Sequence, residues 1–224
     1  MWTDTELQHE VEKEVGWELS AGMTQISVAV KSGAVDLTGH VDGFWEKCAA
    51  ERAAWRVVHV NQVTNRIRVT LPFNQQRSDD DIALAAMGNL EWNCLVPKTV
   101  EVQVKDGLVI LSGRVERQQQ KEEAERALST LIGITGIRND IVIQPSASLA
   151  DVKAPIEAAL RRSALVDGSH IKVHVAQGGV VSMRGTARSR SEYEEAMHAA
   201  WTAPGVTKVE DHISIGSVVK SAHN

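Results

Sequence analysis

Two histidines four residues apart, His170 and His174, come closest to a metal-binding arrangement in this chain. On a helix that spacing would put both imidazoles on one face, within reach of one ion. Here they alternate with Ile171, Val173 and Val175, which is the period of a strand. Four strand residues span about 13 Å, too far to share an ion, so both rings are expected to face solvent. The triplet Asp79-Asp80-Asp81 could gather a cation, but it lies between Ser78 and an apolar helical run. That is the pattern of a capped helix start, where carboxylates meet the positive end of the backbone dipole. Gly178-Gly179 lacks the Lys-Ser/Thr and the helix start of a phosphate loop, and reads as a hairpin turn. No Ser/His/Asp order, His-Glu-x-x-His or paired CxxC is present. The reading assigns no catalytic, cofactor-binding or metal-ligating residue, and it expects no cofactor and no enzyme.

Other groups suggest contacts rather than chemistry. Phe44 and Trp45 stand at the start of a helix, where they either pack on a neighbouring copy or form an exposed tip for a partner or lipid. Arg161, Arg162, Arg184, Arg188 and Arg190 form the one local basic concentration. They read as a solvated surface or as a contact for anionic lipid or an acidic partner. Trp17 and Trp92 occupy matched positions, which favours a structural role. Trp55 and Trp201 match on a later helix, where Ser129 stands between them in the series, and fit a surface or inter-copy contact.

The elements that position these residues are written three times. Gly39, Gly113 and Gly185 lie 74 and 72 residues apart, each inside a strand-turn-strand block. Each unit reads as helix, strand, strand, helix, strand. Leu7, Val11, Val15 and Leu19 mark one face of the first helix at a spacing of four, behind a Thr3/Asp4 cap. Ile26, Val28 and Val30 alternate with Ser27, Ala29 and Lys31. Turns at Ser32-Gly33, Asp106-Gly107 and Gly178-Gly179 lead into the glycine-bearing strands. The repeated glycines fall on the apolar face, where they are expected to act as packing residues that let a helix approach the sheet. Second helices over about 43–58, 116–132 and 188–203 carry small residues such as Ala50, Ala124 and Ala196. Asn65, Asn139 and Asp211 read as local backbone hydrogen-bonders next to the last strand.

The fold class is therefore α+β: three tandem α-β-β-α-β domains over 1–72, 78–145 and 149–216, each a three-stranded mixed sheet with two helices on one face. Linkers such as Pro72 to Arg77 and Gln144 to Ser148 are short enough for the domains to touch. Net charge is −5 with no long basic run, which disfavours a sequence-independent nucleic-acid binder. The first two copies are acidic; the third, with 9 basic and 8 acidic residues over 148–224, is slightly basic. No apolar run is long enough to span a membrane, and the acidic start Met1 to Glu6 is unlike a signal peptide. Cys48 and Cys94 occupy unrelated repeat positions, so reduced thiols and a cytoplasmic location are expected.

The blocks around Gly39, Gly113 and Gly185, the Ala-Glu-Arg-Ala helices at 50–53 and 124–127, and the Gly205-Val206 step together resemble the BON family of bacterial osmotic-shock and nodulation domains. The likeness covers nearly the whole chain and looks like the leaderless three-copy type. It implies this same fold and a non-catalytic binding module, often proposed to contact phospholipid and sometimes tied to envelope or osmotic stress. The chain departs from the pattern in three places. It shows no export signal, copy one reads His59-Val60 at the Gly-Val step, and copy three carries Met183 and Ala187 in its core strand. The expected function is a non-enzymatic binding or scaffold protein. The alternatives are a peripheral binder of anionic phospholipid and a small-ligand carrier or enzyme with a site between domains. Partners are then anionic phospholipid or another protein, not nucleic acid, and the sequence leaves self-association open.

Overall fold

The computed structural model describes residues 2–19, 25–144, 153–162, 170–203 and 205–215. Val152, Pro204 and the linker residues 145–148 lie outside them. Residues 1–115 with 120–142 form one compact unit, and 116–119 with 143–224 form another.

Copy one runs α1 (Asp4–Glu18), β1 (Gln25–Lys31), β2 (Ala34–Val41), α2 (Phe44–Arg56), β3 (Gln62–Asn65) and β4 (Arg68–Val69). Thr3 and Glu6 close a reciprocal capping box at the start of α1. β1 pairs antiparallel with β2, and β3 and β4 continue parallel to β2, so β2 is central. Copy two repeats this as α3 (Asp79–Trp92), β5 (Val100–Lys105), β6 (Leu108–Val115), α4 (Gln118–Leu128), β7 (Gly136–Asn139) and β8 (Val142–Ile143). Copy three has α5 (Lys153–Arg162), β9 (Ile171–Ala176), β10 (Val180–Ala187), α6 (Arg190–Thr202) and an unbroken β11 (Lys208–Ile215).

The core lies between the helices and one sheet face. In copy one Leu7, Val11 and Val15 of α1 meet Val35, Leu37 and Val41 of β2 and the alanines 49, 50, 53 and 54 of α2. Alanines there let α2 lie close on the sheet. Met183 and Ala187 are fully buried in copy three. Trp55 and Trp201 pack half-buried against the cores of their own copies.

The repeated glycines differ from their expected role. Gly39, Gly113 and Gly185 have φ of +126°, +114° and +148°, a region disfavoured for side-chain-bearing residues. A Cβ on Gly113 would stand 2.1 Å from the Thr99 carbonyl oxygen, and one on Gly185 would stand 1.9 Å from that of His170. At Gly113 and Gly185 the close neighbour is thus the chain entering the adjacent strand, not a helix.

The hairpins turn through two consecutive left-handed residues, with φ of 51° and 78° at Ser32-Gly33 and 52° and 74° at Asp106-Gly107. Helix starts anchor them. Asp4 accepts the Ser32 N–H at 2.9 Å, and the two carboxylate oxygens of Asp79 accept those of Asp106 and Gly107 at 2.9 Å each.

Candidate docking surface

The acidic triplet is bound up in the fold. Asp79 holds the hairpin, and Asp81 takes a hydrogen bond from the Ser78 hydroxyl that caps its own N–H. His170 and His174 are both exposed. Asn65 and Asn139 accept the Ile67 and Ile141 N–H groups with their amide oxygens and donate to the Lys47 and Lys121 carbonyls and to Glu51 and Glu125. These polar repeats are therefore backbone devices. No group of three His, Cys, Asp or Glu among the described residues is arranged to hold a metal.

The arginines of copy three divide. Arg188 binds Glu192, a buried carboxylate that also accepts the Arg188 backbone N–H, while the Glu192 backbone N–H donates to the Ser189 hydroxyl. Arg190 bonds Glu194 at 2.7 Å and lies 4.7 Å over the Tyr193 ring. Arg184 points from the open sheet face, opposite Lys172 on β9 and His212 on β11. Lys208 stands on the same face beside Val180. Arg161 and Arg162 end α5, and their side chains lie outside the described residues.

Phe44 is half-buried and Trp45 half-exposed, and both line a cleft of about 310 Å³ with Leu71, with Arg77 of the linker and with Leu131 and Ile132 of copy two. Trp17 and Trp92 are not structural: they are 83% and 91% exposed. The helical period explains this. Val15 and Leu90 face inward, and two residues further on is about 200° around the helix.

Around Trp92 the structure exposes a surface that the expected sites omit. α3 buries Ile82, Ala86 and Leu90 on its inner side. Its outer side carries Leu84, 66% exposed, and Met87, 49% exposed, with Gly88 between them and Trp92, where a Cβ would touch nothing. Leu95, just past the helix end, is also exposed, at 50%. The equivalent α1 positions hold His9, Glu12, Lys13 and Gly16 before Trp17, so the apolar outer face belongs to copy two. A helix apolar all round is ordinarily buried on both sides. The signal was legible in the unbroken run Ile82 to Met87. Asp79, Asp80, Asp81 and Glu91 border the patch, and none of the described helices is long and apolar enough to cross a membrane.

Comparison with known proteins gives one family. The family described as BON domain matches residues 3–70, 78–145 and 148–217. No curated protein matches the chain. Among solved structures it is similar to CdsD, a structural protein of the type III secretion system of Chlamydia trachomatis, at 14% identity, with 94% of each chain covered and a TM-score of 0.27. It is also similar to the periplasmic domain of the type III secretion inner-membrane protein PrgH from S. typhimurium, at 12% identity, with 91% of this chain and 100% of that chain covered and a TM-score of 0.23. Scores this low add nothing to the functional reading.

Proposed function

With three matches filling most of its length, this chain belongs to the BON domain family, and we propose that it is a non-enzymatic scaffold that docks a protein partner on the outer face of α3. BON domains are non-catalytic binding modules. The observation that carries the proposal is the exposed row of Leu84, Met87 and Trp92 on a helix already packed on its other side. Exposed apolar patches of this kind mark interaction sites, and a large exposed indole is the residue type that dominates binding energy. Exposed Asp80 and Glu91 select the partner: an apolar groove rimmed by Lys or Arg, rather than an anionic membrane that they would repel.

Site-specific photocrosslinking tests this in the intact chain. A crosslinker at position 92 should give a discrete protein adduct in the host cell, and Leu84→Asp should remove it. A crosslinker at exposed Thr5 on α1 serves as the control. No adduct at position 92, or lipid adducts only, would overturn the reading.

A second reading rests on the open sheet face of copy three, where Arg184 stands between Lys172 and His212, while Lys208 further along is paired with Glu210 at 2.9 Å. Such a cationic face suits anionic phospholipid headgroups. Sedimentation with phosphatidylglycerol vesicles should then fall with salt and with Lys172→Ala/Arg184→Ala. No sedimentation at low salt rejects it.

A further inference from the structure

The cleft between the first two copies has a composition that no part of the docking proposal uses. Its walls are apolar on most sides, with Phe44 and Trp45 from the start of α2, Leu71 from the segment before the linker, and Leu131 and Ile132 from the segment after α4, and Asn74 and Gln75 line the remaining side. One cation, Arg77, stands at its edge, and among the described residues no Asp or Glu lines it. At about 310 Å³ it is roughly twice the ~150 Å³ cavity that accepts benzene, and it lies at the small end of ligand sites.

Arg77 is held in a particular orientation. Its stem lies against Gly133, where a Cβ would meet the Arg77 Cβ and Cγ at 2.9 Å. Its Nη1 donates to the carbonyls of Asn74 at 3.0 Å and Gln76 at 2.8 Å. Those bonds use one end of the guanidinium and leave the Nε and Nη2 edge, two parallel N–H groups, without an acceptor among the described residues. That edge matches the two oxygens of a carboxylate, and holding it in place beforehand lowers the entropy lost on binding. The Trp45 indole N–H also has no acceptor among the described residues. The indole folds back so closely that a Cβ on Gly43 would stand 2.9 Å from its Cδ1 and Nε1.

We infer that this cleft binds a small planar aromatic carboxylate, with its ring between Trp45, Phe44 and Leu131 and its carboxylate on the free edge of Arg77. An aromatic body fits two aromatic walls, which favour offset or edge-to-face ring contacts. The charge complementarity is one-sided, since among the described residues Arg77 is the one charged group that lines the cleft. The inference does not rest on α3.

The test uses 2-naphthoate as probe and the neutral 2-naphthamide as its control, titrated into the full chain. The six tryptophans give six indole N–H signals in a proton–nitrogen correlation spectrum, and Trp45→Phe identifies the one at the cleft. The expected result is a shift of the Trp45 signal, with the acid binding about tenfold tighter than the amide. Arg77→Gln should erase that preference, and Arg77→Lys should keep part of it, since a point charge lacks the fork. Gly43 has φ −149°, which any residue adopts, so Gly43→Ala keeps the fold while displacing the indole and weakens both probes. No shift of the Trp45 signal up to roughly 10 mM acid would overturn the inference. So would equal binding of acid and amide, or an Arg77→Gln chain that still prefers the acid.

Discussion

Tyr193 donates its phenolic proton to Asp211 at 2.7 Å, in the place where Asn65 and Asn139 donate amide protons to Glu51 and Glu125. The polarity of the bond is reversed between copies. In copies one and two the sheet residue is the donor and the helix carboxylate accepts. In copy three the sheet residue is a carboxylate, Met197 replaces the helix Glu, and the helix supplies a hydroxyl one turn earlier. Throughout, the remaining side-chain oxygen accepts a backbone N–H two residues on. The two substitutions compensate: an Asp facing a Glu would have set two acceptors together.

Burial, followed by the Asp211 hydrogen bond and charge, pushes the Tyr193 phenol up from 10 to about 12. The folded phenol ionises later than the unfolded one. Its contribution to stability is therefore complete below pH 10 and is lost as pH rises through about 12. Tyr193 is the one tyrosine in the chain, so tyrosinate absorbance reads it alone. The expected midpoint is near 12, and a midpoint near 10 would refute the partial burial of the phenol and its bond to Asp211.

Gly113→Ala and Gly185→Ala should each destabilise their copies by about 2–4 kcal/mol, because the added methyl meets a neighbouring carbonyl in a disfavoured backbone conformation. Gly16→Ala, on the open side of α1 with nothing within 4 Å, should instead stabilise by about 0.5–1 kcal/mol. Urea unfolding of the three variants separates the two outcomes by sign.

His59 takes the left-handed conformation, φ +75°, that Gly133 and Gly205 hold at φ +95° and +89° in the other copies. A side chain there costs about 1–2 kcal/mol, partly offset by the greater unfolded entropy of glycine. His59→Gly should raise stability by up to about 1 kcal/mol, although it loses the tilted ring contact with Trp2 at 5.7 Å. A fall in the urea midpoint would show that the ring contact outweighs the backbone strain.

Cys48 is half-buried and Cys94 exposed, and neither is in a disulfide. Burial, helped by Glu51 and Glu125, pushes the Cys48 thiol up, so less thiolate is present near neutral pH. Iodoacetamide at pH 8 should label Cys94 about tenfold faster or more, as read by mass spectrometry of the peptides. Equal rates would mean that α2 opens on the labelling timescale.

Changes on the outer face of α3 should leave the fold intact. Leu84→Asp and Trp92→Ala remove exposed side chains and should shift stability by no more than about 0.5 kcal/mol. A larger loss would place those side chains in the fold rather than on a docking surface.

What the sequence determined is local and periodic. The three copies, the α-β-β-α-β order, the Thr3 and Ser78 caps and the inward rows from Leu7 and Ile82 all follow from spacing that one element carries within itself. The outward position of Trp17 and Trp92 belongs to the same arithmetic, since the 100° step of the helix turns both indoles away from the core. Tertiary structure decided what depends on residues far apart in sequence. Gly113 is required by the Thr99 carbonyl fourteen positions earlier, and Asp79 is engaged by a turn at Asp106, beyond a whole strand. The outer face of α3 and the Arg77 cleft are of the same kind. An apolar pattern says that a side chain seeks cover, and only the packed copies settle whether a neighbour supplies it.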